Sequence, residues 1–376
     1  MEQPSARPAG TTGPDRGRDP WWDNARFVSA TLIVILHTMG SIMAQHHALH
    51  ALHVSTWALR VPAFVILAGV FSSAGPLGPR QLRAVLQSIV VPALLFSVLF
   101  SLEAYWLGAE FTLHIAQLPW TLWFLMALFF WRLLLPLVVQ LRHPLLVTTV
   151  VALAVGYIDE FGMLFAASRT LVYMPLFYLG WRIGQGSLRT WFTSRWSLPL
   201  AAAGLVAAGV VGWLWHRDIS GAWLSMSDTY RPEDPMSLRW AWLIRLAVLA
   251  SAAFLVLCFL RLVPRRRLPL LSALGAGGFT IYLLHPLFIM PVREHGLIAK
   301  VNTPLEQIGL VLCALTLSMV LGSTLVRRVF QPLIRPPVTG LFARTPVVQR
   351  PVTAPWAAPL TPQEQPSAPE PAVAAR

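Results

Sequence analysis

Long apolar runs alternate with short polar connections through most of this chain. The runs fall near 27–44, 57–73, 84–103, 119–139, 145–160, 170–185, 197–215, 240–260, 278–294 and 306–328. A helix needs about 20 mostly apolar residues to cross a bilayer. The pattern therefore predicts an all-α membrane protein, a bundle of about ten transmembrane helices. Two runs are weak: the fifth ends in Asp159-Glu160, and the sixth is short and holds Pro175. The first run is too long for the apolar part of a cleavable signal peptide, and no small-x-small site follows it. Residues 20–335 read as one transmembrane domain. Residues 1–19, rich in Pro, Gly, Arg and Asp, and the Pro/Ala-rich residues 336–376 read as disordered tails.

Composition agrees. The 376 residues are 56% hydrophobic and 12% charged, with mean hydropathy +0.60, against about 25% charged residues in a soluble domain. With an even number of spans and both termini cytoplasmic, most Lys and Arg fall on the inner side, among them Arg80, Arg83, Arg265, Arg266, Arg267, Arg327 and Arg328. That is the positive-inside arrangement of a multi-pass cell-membrane protein in a lipid bilayer. The formal charge of +13 is then a matter of topology, and arginines dispersed between spans give no nucleic-acid face. Cys258 and Cys313 both lie inside spans and read as inert core residues with no disulfide implied. No Walker loop, dinucleotide fingerprint or zinc spacing occurs, and no metal or tightly held cofactor is expected.

The chemistry-bearing residues are few. Arg26 and His37 lie eleven positions apart in W-W-D-N-A-R-F-V-S-A-T-L-I-V-I-L-H, about three helical turns, so one helix would point both the same way, His37 about 16 Å deeper. An ionisable group that deep in an apolar helix is a functional-site signal. Neutral imidazole suits a general base; the alternative is a histidine that only hydrogen-bonds a neighbouring helix. Arg26, at the rim, suits bidentate capture of phosphate or carboxylate, or simple anchoring. Asp23 reads as the N-cap of this helix, with an ion pair to Arg26 as the second reading. Arg80 and Arg83 would serve topology or clamp the phosphates of an anionic cosubstrate. His285, in G-G-F-T-I-Y-L-L-H-P-L, is expected at a depth similar to His37, with Tyr282 one turn earlier and a kink at Pro286. His46, His47, His50 and His53 crowd the first outer loop, with His46, His50 and His53 at helical spacing. The loop at 216–239 sets Trp223, Asp228, Tyr230, Arg231, Glu233 and Asp234 together, a mixture suited to sugar recognition.

These residues carry a resemblance. The chain is similar, over about 19–330, to the integral-membrane acyltransferase type 3 family of carbohydrate O-acyltransferases, nearest its fucose 4-O-acetylase-like branch. The matching pieces are W-D-N-A-R with Arg26 and His37, V-P-A-F-V-I-L-A-G-V-F at 61–71, the Arg80-x-x-Arg83 pair, L-P-W-T-L-W-F-L at 118–125 and I-Y-L-L-H-P at 281–286. The resemblance implies a ten-helix core, a cytoplasmic acyl-CoA donor and a glycan acceptor. It makes His37 the catalytic histidine, Arg26 essential beside it, and Arg80 and Arg83 donor-side residues. Two departures stand out: Ala68 where the family often has Ser, and Arg60 where it often has His.

The expected activity is transfer of an acyl group, acetyl above all, from cytosolic acyl-CoA (acetyl-CoA) to a hydroxyl of a sugar, cell-surface glycan or small hydroxylated acceptor. His37 would act as base, with Asp23, Tyr282 and His285 in support. Transfer would be direct or through an acyl-histidine. The competing reading is a transporter or flippase without covalent chemistry.

Overall fold

The computed structural model describes residues 19–76, 78–158, 164–230 and 238–337; the side chain of Arg80 also lies outside the described set. Both expected tails, apart from Asp19, Pro336 and Pro337, therefore fall outside it, as do Asp159, Glu160, Arg231, Glu233 and Asp234.

The described chain is helical, without strands. In order come α1 (Pro20–Met39), α2 (His47–Thr56), α3 (Val61–Val70), α4 (Pro79–Val85), α5 (Val91–Trp106) and α6 (Trp123–Val138). Then follow α7 (Pro144–Ala154), α8 (Ala167–Gly184), α9 (Arg189–Thr193), α10 (Ser197–Trp215), α11 (Gly221–Ser225) and α12 (Ala241–Leu262). The last are α13 (Pro269–Gly275), α14 (Gly278–Glu294), α15 (Pro304–Gly322), α16 (Thr324–Val329) and α17 (Gln331–Ile334).

Among the described residues, six helical stretches are long and apolar enough to cross a membrane: His47–Val70, Gln81–Trp106, Trp120–Val138, Ser197–Trp215, Leu238–Leu262 and Pro304–Gly322. A seventh arises if α13 and α14, bent by 73° at their junction, count as one span. That bend falls before α14; the chain stays helical through Pro286 and Pro291. The first, fifth and sixth apolar runs become α1, which carries Asp23, Asn24, Arg26 and His37, the short α7, and α8.

Helix α1 is the hub, packed on α3, α13, α14 and α15. Close packing here relies on small residues, as expected where apolar side chains gain nothing by leaving lipid. A side chain at Gly180 of α8 would run into the Ile66 carbonyl of α3, and one at Gly275 of α13 into the Asp23 carbonyl of α1. The interior is filled by Phe96, Phe100, Leu125, Trp131 and Phe177, with the Trp131 indole N–H donating to the Thr170 carbonyl at 2.7 Å. Outward positions such as Leu146, Val206, Leu214 and Leu305 are exposed and apolar, the surface a bilayer covers. Cys258 is buried, but Cys313 is exposed on α15, so it is not a core residue; the helical register turns it out of the bundle.

Candidate active site

Two polar regions lie along α1. At its start, Asp19 and not Asp23 caps the helix, its carboxylate accepting from the Trp21 N–H at 3.0 Å. Pro20 occupies the first helical position, which moves the start four residues ahead of the sequence-based cap. Asp23, freed from capping, accepts from the Arg26 guanidinium at 2.8 Å, and that guanidinium lies 4.0 Å over the Phe71 ring. Asn24 is fully buried and ties this end of α1 to the α12–α13 connection. Its amide donates to the Pro264 and Arg266 carbonyls at 2.8 and 3.2 Å, and its oxygen accepts from the Ser272 hydroxyl at 2.8 Å.

Beside this end lies a cavity of about 730 Å³ whose wall includes Asp23, Thr280 and four arginines, Arg267, Arg327, Arg328 and Arg335. Arg83, a sequence candidate for an anionic cosubstrate with Arg80, is not in this lining. Both sit on α4, whose continuation reaches the same region: Gln87 donates to the Pro336 carbonyl at 3.0 Å, one turn past Arg83. The four lining arginines were read from sequence only as topology; the adjacent pair Arg327-Arg328 just past the last span was the available signal.

Towards the other end of α1 stands His37, half-buried. Its ring meets His285 of α14 edge to face, centroids 5.3 Å apart, and stacks on Trp120 at 6.2 Å. His285 is fully buried. Its Nδ1 lies 2.9 Å from the Ile281 carbonyl, which fixes Nδ1 as the donor and leaves Nε2 as a basic lone pair. That Nε2 has no hydrogen-bond partner among the described residues, an expensive state for a buried polar atom unless something else completes it. Tyr282, one turn earlier, is used differently: its hydroxyl donates to the Thr121 carbonyl, holding the 120–122 turn against α14. Trp120 itself adopts a left-handed backbone, φ +53°. Such strain in a bulky residue persists only where surroundings impose it, commonly at functional sites. The sequence supplied Trp120 only inside a matching motif, with no hint of its conformation.

Arg60 is a further buried ionisable group beside α1. It is 5% exposed and stands at the break between the 57–59 turn and α3, within the apolar stretch His47–Val70. Its carbonyl accepts from the Ser29 hydroxyl of α1 at 3.1 Å, and its guanidinium is 3.1 Å from His53 Nδ1.

A model of the acyltransferase domain of the type 3 family matches residues 19–323. The chain belongs to the acyltransferase 3 family. It is an acyltransferase, and the matched region spans α1 to α15 and so both polar regions. No curated protein and no solved structure matches it.

The remaining sequence candidates of this acyltransferase separate. His46 precedes α2 rather than joining its face. His47 and His50 instead pack on His216, rings 4.2 and 5.1 Å apart, and His53 goes to Arg60. Among the described residues no group of three His, Cys, Asp or Glu is arranged to hold a metal ion. Trp223, Asp228 and Tyr230 do converge, with Arg245, on a smaller pocket of about 220 Å³. Arg245 lies 4.4 Å over the Tyr230 ring, and burial pushes the Tyr230 phenol up to about 12, so it stays a neutral donor at ordinary pH.

Proposed function

We propose that this acyltransferase moves an acyl group, acetyl in the simplest case, from cytosolic acyl-CoA to a hydroxyl of a sugar or cell-surface glycan. It would do so as a ten-span protein of the cell membrane with both termini in the cytoplasm. The observation that carries the reading is the His37–His285 pair: two imidazoles edge to face inside an apolar bundle, one with an unpartnered Nε2.

The cavity at the start of α1 supports the donor side. Arg267, Arg327, Arg328 and Arg335 line it, and guanidinium groups match phosphate oxygens in charge and geometry. Arg80 and Arg83, on the neighbouring α4, would extend that basic rim. Arg26, oriented by Asp23, stands between this region and the deeper site. The cavity also touches Phe279 and Thr280, and His285 follows Thr280 by five residues, about 7.5 Å along α14.

In the reaction, His37 takes the proton of the acceptor hydroxyl as that oxygen attacks the thioester carbonyl carbon. The new C–O bond forms through a tetrahedral intermediate, the C–S bond breaks, and the imidazolium returns its proton to the departing thiolate to give free CoA. Direct transfer needs one base and no covalent enzyme intermediate. Trp120 and His285 hold the His37 ring from two sides, so the base is positioned before substrate arrives.

The test is incubation of the purified protein in lipid with radiolabelled acetyl-CoA. Label transfer or slow hydrolysis that disappears in a folded His37→Ala variant is expected. Undiminished transfer by that variant would remove His37 as base, and proton-coupled uptake without CoA release would favour a transporter.

A further inference from the structure

Positive charge gathers on the side of His37 that faces Trp120 and Trp123. Arg60 is buried mid-span, and among the described residues its guanidinium donates to one group, the neutral imidazole of His53. Arg293, near the end of α14, lies 5.6 Å over the ring of Trp120, the same indole that stacks on His37. Arg169, at the start of α8, lies 4.5 Å over Trp123. Trp123 stacks in turn on Tyr173, whose hydroxyl donates to the Ser225 carbonyl at 3.0 Å. Arg293 and Arg169 thus lie over two indoles three residues apart, and Arg60 acts electrostatically on both His37 and Tyr173. Among the described residues none of the three pairs with a carboxylate within 4 Å; Asp228 acts on Arg169 only at longer range.

Arg60 is buried, Arg169 half-buried and Arg293 exposed, and burying an arginine such as Arg60 without an anion is costly. Indole faces hold Arg169 and Arg293 in place without neutralising them. The arrangement is pre-organised for a negative charge that no described carboxylate supplies within 4 Å. The acyl-CoA phosphates do not fill this role in the proposed reading, because the basic cavity suited to them lies at the opposite end of α1.

Resting on the acyl-transfer reading above, we infer that the acceptor is anionic, with a carboxylate or phosphate near the hydroxyl that is acylated, and that Arg60, Arg293 and Arg169 bind that group. Arg60 brings a permanent cation with a bidentate fork.

The experiment uses the full chain in nanodiscs, acetyl-CoA, and three acceptor probes: methyl glucuronide, methyl glucoside and methyl glucoside 6-phosphate. Rate is read by CoA release and binding by tryptophan fluorescence. The expected result is a preference for one or both anionic probes over the neutral one of about 10- to 100-fold, the range of one charge-assisted hydrogen-bonded pair. Preference for the glucuronide alone identifies a carboxylate, and for the phosphate alone a phosphate. Arg60→Gln and Arg293→Gln should bring the preference towards unity, while Arg60→Lys, which keeps the charge and folds without a buried neutral amide, should retain part of it. Equal binding and equal rates for all three probes overturn the inference. So does a preference that survives both Gln substitutions. If the anionic probes bind better but no probe releases CoA, the acyl-transfer reading fails and the anion site stands.

Discussion

The rings of His37 and His285 meet edge to face at 5.3 Å, one from α1 and one from α14, and the Nε2 of His285 has no partner among the described residues. The two helices approach because α1 is the hub of the bundle and α14 packs directly on it. His37 makes no hydrogen bond to the described residues, so its ring is held by the neighbouring rings of Trp120 and His285.

His37→Ala should lower acyl transfer by roughly 10²- to 10⁴-fold, the usual contribution of a positioned general base. The check is a single-turnover assay with acetyl-CoA, alongside a melting curve within a few degrees of the parent protein.

His285→Phe keeps an aromatic ring against His37 and removes the Nε2 lone pair. Transfer should fall on the order of 10- to 100-fold, the worth of one strong buried hydrogen bond. The fall should be in kcat, with KM for acetyl-CoA little changed, since the cavity arginines are untouched. A loss confined to KM would place His285 in donor binding instead.

Substituting Arg327 and Arg328 together by Gln should raise KM for acetyl-CoA about tenfold at low salt and flatten its salt dependence, because the screened long-range attraction has gone. Initial rates across a salt series measure this. An unchanged KM would move the donor away from this cavity.

Gly275→Ala places a methyl group against the Asp23 carbonyl, backbone that cannot give way without moving α13 from α1. The expected cost is about 1–3 kcal/mol, read as a lower melting temperature in detergent, with a weakened Asp23–Arg26 pair as a by-product.

Much of this was legible in the sequence. The apolar runs announced a helical multi-pass protein because hydropathy is a local property that each segment carries by itself. Arg26 and His37 were placed on one helix by spacing, and α1 does contain both. The approach of His285 to His37 was foreseeable as equal depth on the same side. The role of Asp23 was not, because whether a carboxylate caps or pairs depends on where the helix begins, and Pro20 with Asp19 moved that point. Tyr282 proved to hold the 120–122 turn by its hydroxyl, a contact across 161 positions with no local signature.

The sequence by itself determined the solvent this chain is built for, the segments that become helices, and the few ionisable residues placed among apolar ones. Only the tertiary structure decided which of those residues meet. It brought Arg267, Arg327, Arg328 and Arg335 from distant segments to one cavity and set Arg60, Arg169 and Arg293 towards the opposite end of α1. It also forced Trp120 into a left-handed turn beside His37. Helix propensity and hydropathy act over a few residues, whereas these arrangements depend on how glycine-lined helix faces dock, and no stretch of sequence encodes that docking alone.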